Sequence, residues 1–349
     1  MKRQSIYTKN TIKKRIELRH QQYTFIEKRK NNKNMNERDR LRIFGSTAPI
    51  TKISNKIPIN VQIESNIDEI SNIDFIKNFK YIIDESIKQS IIISYKESYI
   101  DRKINLMKLL DYLSWLLNGK TEIILVEQDS KSKVDWLSTI KGYKDINHIF
   151  VKNDGVFNKG WGYNIGVKAA KGDYLVFSDS DLFLKLNTYR ITIDLLDKFD
   201  IINPYKILYY LNKEKSKLFM SNDYDFNVVK TLERTYNAPV ISGGVFMMKK
   251  NKYLELKGFD EDCYGWGGED DIFDFKIKKM NLLLYNVNDI AVHVFHEDVY
   301  SKNNKNEYYS FRDKNILLVD KYKNMSINEL KNKINSIESF GEINKNSQS

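Results

Sequence analysis

Tyr174 to Phe183 reads YLVFSDSDLF, a short apolar run that gives way at once to two aspartates separated by one serine. An apolar run of this length bounded by polar residues is a buried strand, which puts Asp179 and Asp181 at its C-terminal tip. Just upstream, Asn158 to Ala170 has the texture of a helix that Gly172 ends. Further back, Ile149 to Val151, Glu122 to Val126 and Ile91 to Tyr95 (IIISY) read as strands. A helix with apolar positions Ile104, Met107, Leu110, Leu113 and Leu117 follows the first of them. Short apolar runs alternating with amphipathic stretches are the signature of an α/β fold, a mixed sheet flanked by helices.

Downstream the alternation loosens. Thr188 to Phe199 is helical in pattern, and Glu214 to Pro239 is polar enough to serve as a substrate-facing loop. Val240 to Lys249 and Leu282 to Val287 read as strands, with a helix from Glu269 to Met280 between them. A last helix is predicted from about Tyr308 to Lys323, followed by a polar, frayed end. The domain reading is therefore a polar extension over 1–69, an α/β domain over 70–325 and a polar tail over 326–349.

Three clusters carry chemistry. Alternate carboxylates at a strand end, Asp179 and Asp181, suit a divalent cation, although turn chemistry alone also favours Asp and Ser where strands stop. Two of the four histidines fall in His293-Val-Phe-His296. Positions three apart on a strand face opposite sides, so both reach one ion only if the chain turns between them; His296, nearer the strand end, is the better ligand. The third cluster is Trp266-Gly-Gly-Glu-Asp-Asp271. An acidic helix start explains its carboxylates but not the tryptophan, whose flat face suits sugars, or the glycines, which let backbone approach a ligand closely. Asp270 there is placed to accept a proton.

Composition bounds the rest. Lys+Arg outnumber Asp+Glu by 57 to 46, giving +11, and much of the excess sits between Lys13 and Lys33. Such an arm favours phosphate-bearing partners, nucleic acid or an anionic membrane surface, or is simply a solvated tail with a possible helix over Thr11 to Lys28. The aromatics do not form a basic platform of the nucleic-acid-binding kind. Cys263 alone allows no intrachain disulfide and fits a reducing compartment. No apolar run approaches the ~20 residues that span a bilayer, and the N-terminus lacks a secretory core, so a soluble or peripherally attached cytoplasmic protein is expected. No GxGxxG follows the first strand, which disfavours a dinucleotide enzyme.

The order of strand-tip SDSD, paired glycines Gly243-Gly244, GWGGED and a following histidine resembles the β-1,4-galactosyltransferase family of A-type, nucleotide-sugar glycosyltransferases, related to families 7 and 2. Phe157 to Gly166 (FNKGWGYNIG) is similar to that family's FNRAKLLNVG helix and Ile91 to Lys96 to its IIIPFR strand, so the likeness runs from about Ser90 to Glu297. The resemblance implies an A-type fold with one Rossmann-like nucleotide-sugar domain, a UDP-sugar donor, a glycan or glycoprotein acceptor and a manganese-like ion on Asp181 and His296. His293 stands where the family uses methionine as a third ligand. Tyr95, Phe157, Lys159, Asp179 and Ile241 would belong to the donor site, and Trp266, Asp271 and Gly244 to the acceptor site. Asp270 would be the base of an inverting displacement. The family block has one more aspartate than this chain, which leaves Glu269 and Asp271 as alternatives, and a catalytically silent relative as another reading. Ile241, where the family's aromatic favours galactose, leaves UDP-galactose and UDP-N-acetylhexosamine both open.

Overall fold

The computed structural model describes residues 88–343, except 118, 141, 228–234, 238–240, 242 and 298–310, and the side chains of 235–237. The basic arm, its possible helix and any membrane contact through it lie outside the described residues.

Strand β1 (Gln89–Tyr95) alternates its side chains between two cores, with Ile91, Ile93 and Tyr95 on one face and Ile92 on the other. Both faces are covered, which is why this strand reads as unbroken apolar sequence. Strands β2 (Thr121–Asp129), β3 (Ile146–Lys152) and β4 (Tyr174–Ser178) run parallel to it in the order β3-β2-β1-β4. Antiparallel β9 (Val245–Lys249), then β6 (Ile201–Asn203) and β10 (Leu284–Asn286), complete a mixed seven-stranded sheet. The expected mixed α/β architecture is what the structure shows.

Helix α1 (Ile100–Leu113) buries Leu106, Leu109, Leu110 and Leu113. Its core face is thus rotated from the expected one, leaving Ile104 41% exposed. The rotation follows the tighter i, i+3, i+4 stripe, and it turns Asn105 inward to donate to the Phe295 carbonyl at 3.0 Å. Helix α2 (Lys159–Ala169) sits directly on β1 and β2, so close that a Cβ on Gly162 would meet Ser94 Oγ at 2.0 Å. Its start is fixed by Asn158, whose side chain accepts from the Trp161 amide at 2.9 Å.

A second sheet, missing from the sequence reading, has the order β5-β11-β7-β8: β5 (Leu182–Leu184), β7 (Ile207–Tyr210), β8 (Thr235–Asn237) and β11 (Ile290–His293). Its strands are three or four residues long, too short to display a period. In sequence, helix α3 (Leu186–Leu196) links β5 of this sheet to β6 of the main one, α4 (Lys213–Ser221) lies between β7 and β8, and α5 (Lys250–Glu255) follows β9. The polar stretch expected as a loop from Glu214 therefore begins with a helix, capped by Asn212 and anchored by buried Ser216 and Phe219. Helices α6 (Glu269–Lys279), α7 (Arg312–Asn324) and α8 (Ile327–Asn335) follow. The polar tail expected over 326–349 begins with a helix, because Ser326 and Glu329 form a capping box and Leu330 and Ile334 are buried. Beyond it, the Glu342 carbonyl accepts from Trp161 Nε1 at 3.0 Å.

Lys276 of α6 is fully buried, its ammonium donating to the carbonyls of Gly258 at 2.8 Å and Leu256 at 3.3 Å. Burial depresses its pKa to about 8. The unfolded chain binds this proton up to about pH 10, so folding stability rises as pH climbs from 8 toward 10. Urea unfolding at pH 7.5 and 9.5 should show the wild type gaining roughly 2 kcal/mol relative to Lys276→Met over that interval. Parallel pH profiles for the two proteins would refute a depressed lysine.

Candidate active site

Strand β1 lies between β2 and β4, so the chain leaves it toward both sides, and the crevice where open α/β sheets take ligands lies off the C-terminal ends of these strands. Asp179 and Asp181 emerge from the end of β4. The Asp179 amide donates to the Gly244 carbonyl at 2.9 Å, and the Gly244 amide to Asp179 Oδ2 at 3.1 Å. Strand β9 thereby delivers Gly243 and Gly244, at φ 80° and 78°, against the two aspartates. No larger residue fits: a Cβ on Gly243 would stand 2.6 Å from Asp270 Oδ2, and one on Gly244 2.5 Å from the Tyr205 hydroxyl. Those φ values also explain why β9 begins at Val245 and not at 240.

Asp179 looks toward an acidic cluster centred on a lysine. Lys159 Nζ is 2.9 Å from Asp179 Oδ1 and 3.9 Å from both Glu269 Oε1 and Asp270 Oδ2. Tyr163 donates to Asp179 Oδ1 at 3.2 Å. Burial works against the charge on Lys159, but Asp179, Asp270 and Glu269 outweigh it and hold the ammonium protonated well above its ordinary range. Burial, reinforced by Asp270, pushes Glu269 up to about 8. Burial also raises Asp270, against the pull of Lys159. Glu269 and Asp270 thus titrate as one pair, with Lys159 drawing Asp270 back toward its charged form. Asp270 Oδ1 is buried and has no hydrogen-bond partner among the described residues. Asp271 is exposed on the outer side of the helix start.

Asp181 faces the other way, toward the second sheet. Register there pairs His293 with Leu182, and the Val294 amide donates to the Asp181 carbonyl at 3.0 Å. Regular strand ends at His293, and His293 Nε2 and His296 Nε2 both lie 3.5 Å from the Asp181 carboxylate. Beyond the strand end the strict alternation that would separate the two no longer applies. One donor atom from each residue lies within 4.8 Å of the others, and one carboxylate oxygen with two imidazole nitrogens is a set that fits a first-row divalent cation. Arg102, to which the sequence reading gave no role, places Nη1 3.3 Å from Asp181 Oδ2 and Nη2 3.5 Å from His296 Nδ1. Burial opposes the Asp181 charge, but His293, Arg102 and His296 outweigh it and hold the carboxyl below its ordinary range. Burial pushes His293 below the ordinary imidazole value despite Asp181, favouring the neutral form that ligates metals.

The remaining sequence candidates divide. Phe157 is half-buried, and its carbonyl accepts from the Gly265 amide at 2.9 Å, joining the loop before α2 to the Trp266 turn. Trp266 is 45% exposed. Tyr95 and Ile241, expected in the donor site, are 1% and 3% exposed and pack in the two cores. Strand alternation turns Tyr95 inward with Ile91 and Ile93, and its hydroxyl donates to Glu97 Oε2 at 3.5 Å. Of the residues the sequence reading missed, Tyr163 lies inside the motif quoted above and Arg102 one turn past the end of β1, a place where ligand contacts recur in such sheets; nothing marks Tyr205.

The family description "Glycosyltransferase like family 2" matches residues 89–330. A Drosophila melanogaster protein named as polypeptide N-acetylgalactosaminyltransferase 13 is 28% identical over 175 residues, covering 42% of this chain and 31% of its own. Bovine (Bos taurus) β-1,4-galactosyltransferase 1 is 30% identical over 131 residues, covering 34% of this chain and 24% of its own. The chain thus spans about a third or less of the curated relatives it matches. Among solved structures, GalNAc-T7 with UDP, GalNAc and Mn2+ aligns at TM-score 0.49 and 16% identity, covering 72% of this chain and 55% of that one. Staphylococcus aureus TarS with UDP-GlcNAc aligns at TM-score 0.48 and 14% identity, covering 71% and 70%. No helix among the described residues is long and apolar enough to cross a membrane. The match to the larger part of the chain makes this protein a member of the glycosyltransferase-like family 2.

Proposed function

We propose that the protein is an inverting, metal-dependent glycosyltransferase of the A-type, moving a hexose or N-acetylhexosamine from a UDP-sugar to a hydroxyl of a glycan or glycoprotein. The observation that carries this reading is the division of labour at the end of β4. Asp181 belongs to a cation-ready cluster with His293, His296 and Arg102, while Asp179 belongs to a proton-handling cluster with Lys159, Glu269 and Asp270.

Asp270, beside Lys159 and Glu269, takes the proton of the acceptor hydroxyl. The hydroxyl oxygen attacks the anomeric carbon from the face opposite the diphosphate; the new glycosidic bond forms as the bond to the diphosphate oxygen breaks, and inversion follows. Arg102 and Lys159 supply fixed positive charge at the crevice. A divalent cation such as manganese, held by Asp181, His293 and His296, would add positive charge for the departing diphosphate. Trp266, half-exposed beside the start of α6, offers an apolar face to the acceptor sugar.

A thermal-shift screen against UDP-, GDP-, CMP- and dTDP-sugars, each with manganese and with EDTA, tests the donor side. A ligand at about a hundred times its Kd adds roughly 2.7 kcal/mol to the folded state, so a rise of several degrees with UDP-sugars and manganese is expected. An equal response to all nucleotides, or none to any, would overturn the proposal.

A further inference from the structure

Helix α7 begins some forty residues beyond the Trp266 turn in sequence, yet its first turn meets that segment three times. The Phe311 ring lies 5.5 Å from the Tyr264 ring, and the Arg312 guanidinium 5.5 Å from the Trp266 ring centre. Beneath them Asn315, only 2% exposed, sends Nδ2 to within 2.9 Å of the Tyr264 carbonyl and 2.8 Å of the Gly267 carbonyl, with Trp266 oxygen at 3.4 Å. Three carbonyl oxygens around one end of the amide fix that end as the donor. The other end, Oδ1, is buried without a hydrogen-bond partner among the described residues.

The segment so held needs holding. Gly267 and Gly268 stand at φ 86° and 96°, and their flexible backbone leads straight into Glu269 and Asp270. A Cβ on Gly268 would press on Val319 and Asn315 at 3.1 and 3.2 Å, so the turn lies flush on α7. Without the Asn315 amide these carbonyls would lose their side-chain donor, which is costly for acceptors shielded from water.

We propose that Asn315 is a positioning residue for glycosyl transfer: it fastens the Tyr264–Gly267 carbonyls to α7 and so fixes Trp266 against the acceptor and the entry of the chain into Asp270. This rests on the proposed function for its consequence, though not for the contact itself. Asn315 touches neither substrate nor reacting atoms; it acts through the turn.

The test compares wild type with Asn315→Leu, which keeps the branching of the side chain and removes both donors. Acrylamide quenching of Trp266, isolated by subtracting a Trp266→Phe background, should increase. Manganese-dependent UDP binding should stay within about twofold, since the nucleotide side is untouched, whereas transfer from UDP-galactose or UDP-N-acetylgalactosamine to p-nitrophenyl glycosides should fall about ten- to a hundredfold, the scale of a misplaced group. Hydrolysis of the same donor by water should persist. Unchanged quenching and transfer in a folded variant would overturn the proposal, as would UDP binding and transfer falling together. Should Asn315→Leu fail to fold, Asn315→Ser, smaller and with one donor left, carries the same readouts and outcomes. If wild type itself binds no UDP-sugar, the proposed function has failed, and the quenching difference still decides whether Asn315 fastens the turn.

Discussion

Asp270→Asn abolishes transfer while leaving UDP binding in place; a loss of about 10²- to 10⁴-fold is the expected scale for removing a general base. The substitution keeps the shape of a side chain whose Oδ2 leaves no room for a Cβ on Gly243, so the glycine pair leading into β9 is undisturbed. Only the ability to accept a proton goes. Stability should move the opposite way. Burial raises the Asp270 pKa in the folded state, so its charge disfavours folding above the ordinary aspartate range, and the neutral asparagine relieves that cost. The variant should melt at or above the wild-type temperature at pH 7 while being inactive, a pairing expected of a group kept for chemistry. The pH profile supplies a further check. Activity should be lost as pH falls through the apparent pKa of the Glu269–Asp270 pair, and Glu269→Gln should displace that limb. Isothermal titration with UDP and a coupled assay for UDP release measure both sides; retained turnover in Asp270→Asn would transfer the role to Glu269.

Asp181→Asn is expected to do more damage, because Asp181 is at once the buried anion of the cation-ready cluster and the counter-charge of Arg102. Arg102 is only part-buried and keeps some solvent, so removing its buried counter-charge costs on the order of 1–3 kcal/mol. Lower melting temperature, loss of manganese uptake followed by electron paramagnetic resonance, and loss of the manganese-dependent part of UDP binding should appear together. Far-UV circular dichroism at low temperature separates loss of the site from loss of the fold. Undiminished manganese-dependent UDP binding in the folded variant would show that the cation sits elsewhere.

The two variants probe features that differed in how far the sequence exposed them. Apolar runs bounded by turn residues placed β1, β2 and β4, because a strand buried on both faces has to be written in Ile, Val, Leu and Phe whatever else surrounds it. That in turn put Asp179 and Asp181 at a strand end, and the acidic start of α6 was legible from its carboxylates and preceding glycines. These are local facts, dictated by backbone geometry within about ten residues. Pairing across long stretches of chain was not legible. Only the register of β11 on β5 and the end of that strand at His293 decide that His293 and His296 both reach Asp181, when alternation on a continued strand would have parted them. Only the packing of α1 and α7 brings Arg102 to that carboxylate and Asn315 to the Trp266 turn, across 79 and 48 residues for the Asp181 and Gly267 contacts. Residue type and local period determined which groups this protein has for its chemistry; which of them share a site depended on contacts between distant segments, whose geometry no short stretch of sequence contains.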